Sequence, residues 1–152
     1  AAIHFGKEDW PGVRYLPLMP ETVVPVCAPE LLTEPLEDPS QILRYALLHL
    51  DTRPRGWSRW LSALGVTQDP PAGMMFDQFS TMAQAAVHGL GVALLPTFSA
   101  EPYLRDGQLV LASTQTTQSI GNYYLVWPED RAETAALQSF KTWLDGQTGQ
   151  VL

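Results

Sequence analysis

Short β-branched apolar runs alternate along this chain with stretches whose apolar residues recur at helical spacing. This alternation limits the fold more than any other feature. A chain patterned in that way packs helices against a sheet, so the expected class is α/β. Residues 1–6 read as a strand that ends on a glycine, and Trp10-Pro11-Gly12 as the turn after it. Residues 13–19 and 22–27 read as two further strands. Pro17 and Pro25 assign them to edge or irregular places, because proline offers no N–H to a ladder. Residues 46–50, 73–77, 92–95, 108–112 and 119–127 complete the expected strands.

The helices follow from periodicity and caps. Residues 29–32 fit a single turn. Asp38 caps a second short helix, with Pro39 at its first position and Gln41 three residues past the cap. Residues 56–65 carry the clearest pattern: Trp57, Trp60, Leu61 and Leu64 fall at i, i+3, i+4 and i+7, and Gly65 supplies the stop. That spacing makes the two tryptophans core anchors rather than a ligand cage. A helix after Asp77 is expected to begin near Ser80 or Thr81, where Thr81 and Gln84 have capping-box spacing. Its inward face is Met82, Ala85, Ala86 and Leu90, and Gly89 or Gly91 ends it. Residues 99–105 form another helix, stopped by Gly107. The last spans residues 131–145, with Ala136, Leu137, Phe140, Trp143 and Leu144 as its apolar stripe and Gly146 as its end.

Composition removes several function classes. The 152 residues suit one domain, and 45% hydrophobic against 16% charged residues is enough for a core. The net charge is −7 and the nine Lys and Arg are scattered, which disfavours direct binding to a phosphate backbone. The lone Cys27 excludes an internal disulfide and any multi-cysteine zinc site. It reads either as a small buried hydrophobe or as a reactive thiol, and suits a reducing cytoplasm. The start lacks the pattern of a signal peptide, and no apolar run reaches the roughly 18–20 residues of a membrane-crossing helix. A chain that opens inside a strand without a methionine reads as cut partway through a longer domain.

No catalytic set is expected. His4, His49 and His88 have no partner at a helical metal spacing, although His49 and Asp51 share a strand face, so neither a metal nor a cofactor is expected. There is no GxSxG. Ser80 between strand and helix has three readings: an N-terminal cap, a contact for an anionic ligand group at the helix terminus, or, third, a nucleophile. Gly89-Leu90-Gly91 follows a helix and precedes a strand, the reverse of a dinucleotide loop. Glu30, Glu34, Glu37 and Asp38 read as a solvated acidic face. Nothing joins a nucleophile, a base and an orienting group, so the chain is read as no enzyme.

In order and spacing, AAIHFG, PLMPETVVPVCAPELL, ALLHLDTRPRGWSRWLSALGV, MAQAAVHGLGVALLP, LRDGQLV, YYLVWP and FKTWLDGQ resemble the C-terminal effector-binding domain of LysR-type transcriptional regulators. They are most similar to the subgroup of the glycine-cleavage activator and the β-lactamase regulator. The resemblance covers nearly the whole chain. It implies a fold like the type-II periplasmic binding proteins: two α/β lobes joined by crossover strands near residues 22–26 and 123–126, with the effector in the cleft. Residues 1–22 and 125–152 would be an incomplete first lobe, and residues 23–124 the second. The N-terminal helix-turn-helix, through which alone DNA would be bound, and the first elements of lobe one have no counterpart here.

By position, the resemblance implies effector contacts from Gln78, Phe79 and Ser80 at the start of the helix after Asp77, from Tyr123, and from Phe5 and Gly6. His4 stands where many relatives have arginine, and residues 50–52 are weaker candidates. The implied function is sensing of a small, preferentially anionic metabolite in the cytoplasm, by lobe closure that changes oligomer geometry and so DNA binding elsewhere in the parent chain. Self-association is expected from the open sheet edges of an incomplete lobe. A periplasmic-type solute-binding protein is the alternative and an enzyme fragment the third reading. TVVPVCAPELL and GLGVALLP favour the regulator.

Overall fold

The computed structural model describes residues 1–148; the final four residues of the expected first lobe lie outside the described part. The chain divides into two compact units, one of residues 1–21 and the chain from Ile120 onward, the other Thr22–Ser119.

In the first unit, β1 (Ala2–Gly6) pairs antiparallel with β7 (Thr117–Pro128), placing Phe5 opposite Tyr123 and Gly6 opposite Asn122. Gly6 has φ +145°, and a side chain at Gly121 would meet the Gly6 Cα at 2.8 Å. Only glycines let the two backbones come this close. The core of the unit is Leu18, Leu125 and Trp127, with Leu16, Tyr123, Leu137 and Leu144 packed on it. The last helix, α4 (Ala135–Thr148), begins four residues later than expected and runs through Gly146. Its stripe is only half used: Leu137 and Leu144 pack inward, while Phe140 and Trp143 are exposed. Lys141 lies 4.4 Å from the centre of the Trp127 ring and 3.2 Å from both carboxylate oxygens of Glu133.

The expected strands 13–19 and 22–27 are one strand, β2 (Val13–Cys27), which like β7 runs from one unit into the other. Pro25 is accommodated because its carbonyl, the group it retains, accepts from Ala112 N–H at 2.9 Å. In the second unit β2 pairs antiparallel with β5 (Ala93–Pro96) and β6 (Val110–Leu111). Two short strands, β3 (His49–Leu50) and β4 (Met75–Phe76), pair in parallel. The chain crosses tightly here: a Cβ at Gly73 would fall 2.2 Å from the Leu47 carbonyl oxygen.

Residues 29–32 make a turn instead of the expected helix. Asp38 does cap, accepting from Ser40 N–H at 3.0 Å, but the helix it starts, Pro39–Arg44, is 3₁₀. That bond, with a smaller pull from Arg44, holds the Asp38 carboxyl below the usual carboxylate range. Helix α1 (Gly56–Ala63) buries Trp57, Trp60 and Leu61 as its spacing predicts, and Gly65 follows at φ +81°. Helix α2 (Phe79–Val87) buries Met82, Ala83, Ala85 and Ala86, whereas Leu90 is exposed. Helix α3 (Thr97–Arg105) completes the unit. Cys27 is fully buried between Val26 and Ala28, as a small core residue.

Candidate functional site

The proposed contacts fall into two groups. Gln78, Phe79 and Ser80 lie together at the start of α2 in the second unit; Phe5, Gly6 and Tyr123 lie together on β1 and β7 in the first.

Helix α2 begins at Phe79, with Gln78 as its extended N-cap residue, and no side chain caps it. Neither Ser80 nor Thr81 is the cap. The Ser80 hydroxyl donates to Gln78 Oε1 at 3.4 Å, and the Thr81 hydroxyl donates back to the Gln78 carbonyl at 3.0 Å. The first-turn N–H groups therefore lack the side-chain acceptor that usually satisfies them, and the helix dipole adds positive potential at the same end. Gln78 and Ser80 are exposed and Phe79 is half-buried. The Arg53 guanidinium lies 5.8 Å from the centre of the Phe79 ring, bringing a cation to this helix start. Arg53 follows directly on the weaker candidates 50–52. Its signal in the sequence was a cation in a charged loop just before a strong helix.

In the first unit, strand register sets Phe5 against Tyr123, with ring centres 5.0 Å apart. The Tyr123 hydroxyl donates to Glu21 Oε2. Glu21 is only 1% exposed, a carboxylate inside the protein, and sequence reasoning passed over it. The available signal was an acid standing alone in the apolar run of β2.

His4 takes a local role. Its Nε2 lies 3.2 Å from the Lys7 carbonyl and 3.9 Å from an Asp9 carboxylate oxygen, and its ring packs 4.1 Å from Trp10. His49 Nε2 lies 3.0 Å from the Pro71 carbonyl, so its ring fastens the segment leading into β4. Glu30, Glu34, Glu37 and Asp38 are all exposed. Among the described residues, no three His, Cys, Asp or Glu side chains converge as metal ligands, and no helix is long and apolar enough to cross a membrane.

These features define a mixed α/β domain of two compact units traversed by two long strands, β2 and β7. The chain belongs to the LysR substrate binding domain family, whose model matches residues 1–148. It is 39% identical over 149 residues to the HTH-type transcriptional activator AmpR of Rhodobacter capsulatus, covering 98% of this chain and 50% of that protein. It is 34% identical over 146 residues to the glycine cleavage system transcriptional activator of Escherichia coli K12, covering 94% and 48%. The chain thus spans about half the length of the curated relatives it matches. Among solved structures it resembles the Citrobacter freundii effector binding domain bearing one Thr-to-Val, one Ser-to-Ala and one Tyr-to-Phe substitution. The TM-score is 0.83 and the identity 28%, covering 96% of this chain and 73% of that one. The fold is therefore that of the LysR effector-binding domains, type-II periplasmic-binding-protein-like. The relatives are transcription regulators, not enzymes, and give the transport reading no support.

Proposed function

We propose that this chain is the effector-sensing domain of a cytoplasmic LysR-type regulator, whose DNA binding is carried by a helix-turn-helix elsewhere in the whole protein. Residues 1–22 and 125–152 are its partial first lobe and residues 23–124 its second. It takes a small metabolite, and the effector changes DNA binding by favouring one conformation of the regulator over another. The observation that carries this reading is the start of α2, where uncapped N–H groups and the Arg53 guanidinium favour an anionic group, beside a Ser80 hydroxyl whose hydrogen is held only by a long 3.4 Å bond to Gln78 Oε1. Phe79 and Gln78 flank that contact. Tyr123, Phe5 and Gly6 form the contact of the first unit. Further support comes from the Citrobacter domain: the serine and tyrosine substituted there stand the same number of residues apart as Ser80 and Tyr123.

A thermal-shift screen against amino acids and cell-wall peptides tests it. A ligand at about a hundred times its Kd stabilises by about 2.7 kcal/mol, which raises Tm by roughly 5–10 °C in a domain of this size. Ser80→Ala and Tyr123→Ala should each abolish most of that rise. Unchanged binding in both removes them from the site.

Self-association belongs to the same reading. Phe140 and Trp143 stack 5.9 Å apart while 42% and 57% exposed, an apolar surface suited to a second copy. Light scattering should give a mass above one chain that grows with concentration. A monomer mass independent of concentration counts against it.

A further inference from the structure

We propose that Met74 and Met75 are an oxidant-reactive modification site: a hydroperoxide converts these two thioethers to sulfoxides before it reaches the Cys27 thiol or the Met82 thioether. An exposed cysteine is ordinarily the first residue such an oxidant finds, so here the fold reverses the usual order.

The chain has four methionines. Met74 is 53% and Met75 61% exposed, so most of each side chain meets water. Met19 is half-buried, and Met82, at 1%, lies in the core of the second unit with Val24, Val26 and Leu48. Cys27 has no exposed surface. The reactive form of a cysteine is its thiolate, and burial pushes this thiol up to about 11. At about pH 7.5 only about one molecule in three thousand then carries a thiolate, and that one is sealed in the core. A thioether has no proton to lose, so access alone limits it. With hydrogen peroxide, its sulfur lone pair attacks one oxygen, the O–O bond breaks and an S–O bond forms. The proton on that oxygen passes to the departing hydroxide. Sulfur gives up two electrons, and the peroxide is reduced to water. The strand tolerates the change. It is held to β3 by backbone bonds, from His49 N–H to the Met74 carbonyl at 2.9 Å and from Asp51 N–H to the Phe76 carbonyl at 2.8 Å. It packs on the core through Phe76. Neither kind of contact uses a thioether. A sulfoxide oxygen at Met74 or Met75 is solvated, whereas at Met82 it would be a buried polar atom. An oxidant thus leaves a polar mark that ends three residues before Gln78 and spares the core.

Peptide mass spectrometry on the full chain, sampled through a time course in dilute hydrogen peroxide near neutral pH, reads the order directly. Met74 and Met75 should each gain one oxygen about tenfold or more faster than Met82 or Cys27, with Met19 between them. Cys27 or Met82 modified as early as the pair overturns the proposal. The same course in unfolding urea tests the cause: the four methionines should react at one rate and Cys27 should overtake them. An order unchanged by urea would show that the fold does not set it, and the proposal fails. A Met74→Leu, Met75→Leu double variant should lose the early oxygen uptake and leave the slow rates at Met82 and Cys27 as they were; early uptake that persists in it also overturns the proposal. Protein oxidised only at the pair should melt within about 2 °C of the untreated chain. A larger drop would mean that these sulfoxides do reach the core.

Discussion

Trp60→Ala should come close to unfolding this domain. Trp60 has no exposed surface and sits in a cluster with Val23, Cys27, Ile42, Leu47, Leu61 and Val92. Its ring meets Trp57 edge-to-face at 5.7 Å and 83°, and its Nε1–H donates to the Gln115 carbonyl at 3.2 Å. Truncating a buried tryptophan leaves a cavity, removes the ring contact and costs about 3–5 kcal/mol. Whole domains are stable by only about 5–15 kcal/mol. With a urea slope of about 2 kcal/mol per molar, the unfolding midpoint should drop by roughly 1.5–2.5 M. Trp143→Ala is the matched control: at 57% exposure it should cost about 1 kcal/mol or less. If the two variants unfold at the same urea concentration, Trp60 is not the anchor described.

The contrast between those two tryptophans also shows what local sequence can say. Helix α1 was legible because its periodicity, its stop and its burial all agree within ten residues. Helix α4 offered an equally apolar stripe, but how far a stripe is covered depends on what the rest of the chain places against it, and Phe140 and Trp143 are left uncovered. The start of α2 was legible only to within two residues. Ser80 and Thr81 are both good cap types, and the choice fell to Gln78 through its extended backbone, φ −139° and ψ 147°. Pro17 and Pro25, read as assigning their strands to edge or irregular places, do not interrupt β2, since a proline harms a strand only where its N–H is required.

The site shows the same division between local and distant information. The cluster of Gln78, Phe79 and Ser80 is contiguous in the chain, so the resemblance could place it whole. Glu21 could not be found that way. Its meaning comes from Tyr123, 102 residues further on, and an acid in an apolar run looks like an exposed turn residue until its partner is known. Phe5 and Tyr123 were each named, but that they face one another is a consequence of the β1–β7 register, which no single segment encodes.

The lone thiol gives the second large effect. Cys27 has no exposed surface, and burial pushes its pKa from the ordinary 9.0 up to about 11. The folded state therefore favours the neutral thiol, and the unfolded chain loses the proton first. The stability this represents is fully present below pH 9.0 and is lost as pH rises through about 11. Two units at about 1.4 kcal/mol each make a loss of roughly 3 kcal/mol, enough to move the urea midpoint by about 1 M or more. Cys27→Ala keeps a small apolar residue in the strand and has no such proton to lose. Between pH 8.5 and 11, the wild-type midpoint should fall more steeply than that of the variant. Parallel curves would show that the thiolate is tolerated inside the fold. The same burial predicts that a thiol reagent at pH 8 labels Cys27 only as fast as the domain opens, so labelling should accelerate in step with denaturant. A thiol that reacts at once in the native protein would mean that the strand pairing of Cys27 with Val110 opens readily, and the pH effect would then shrink with it.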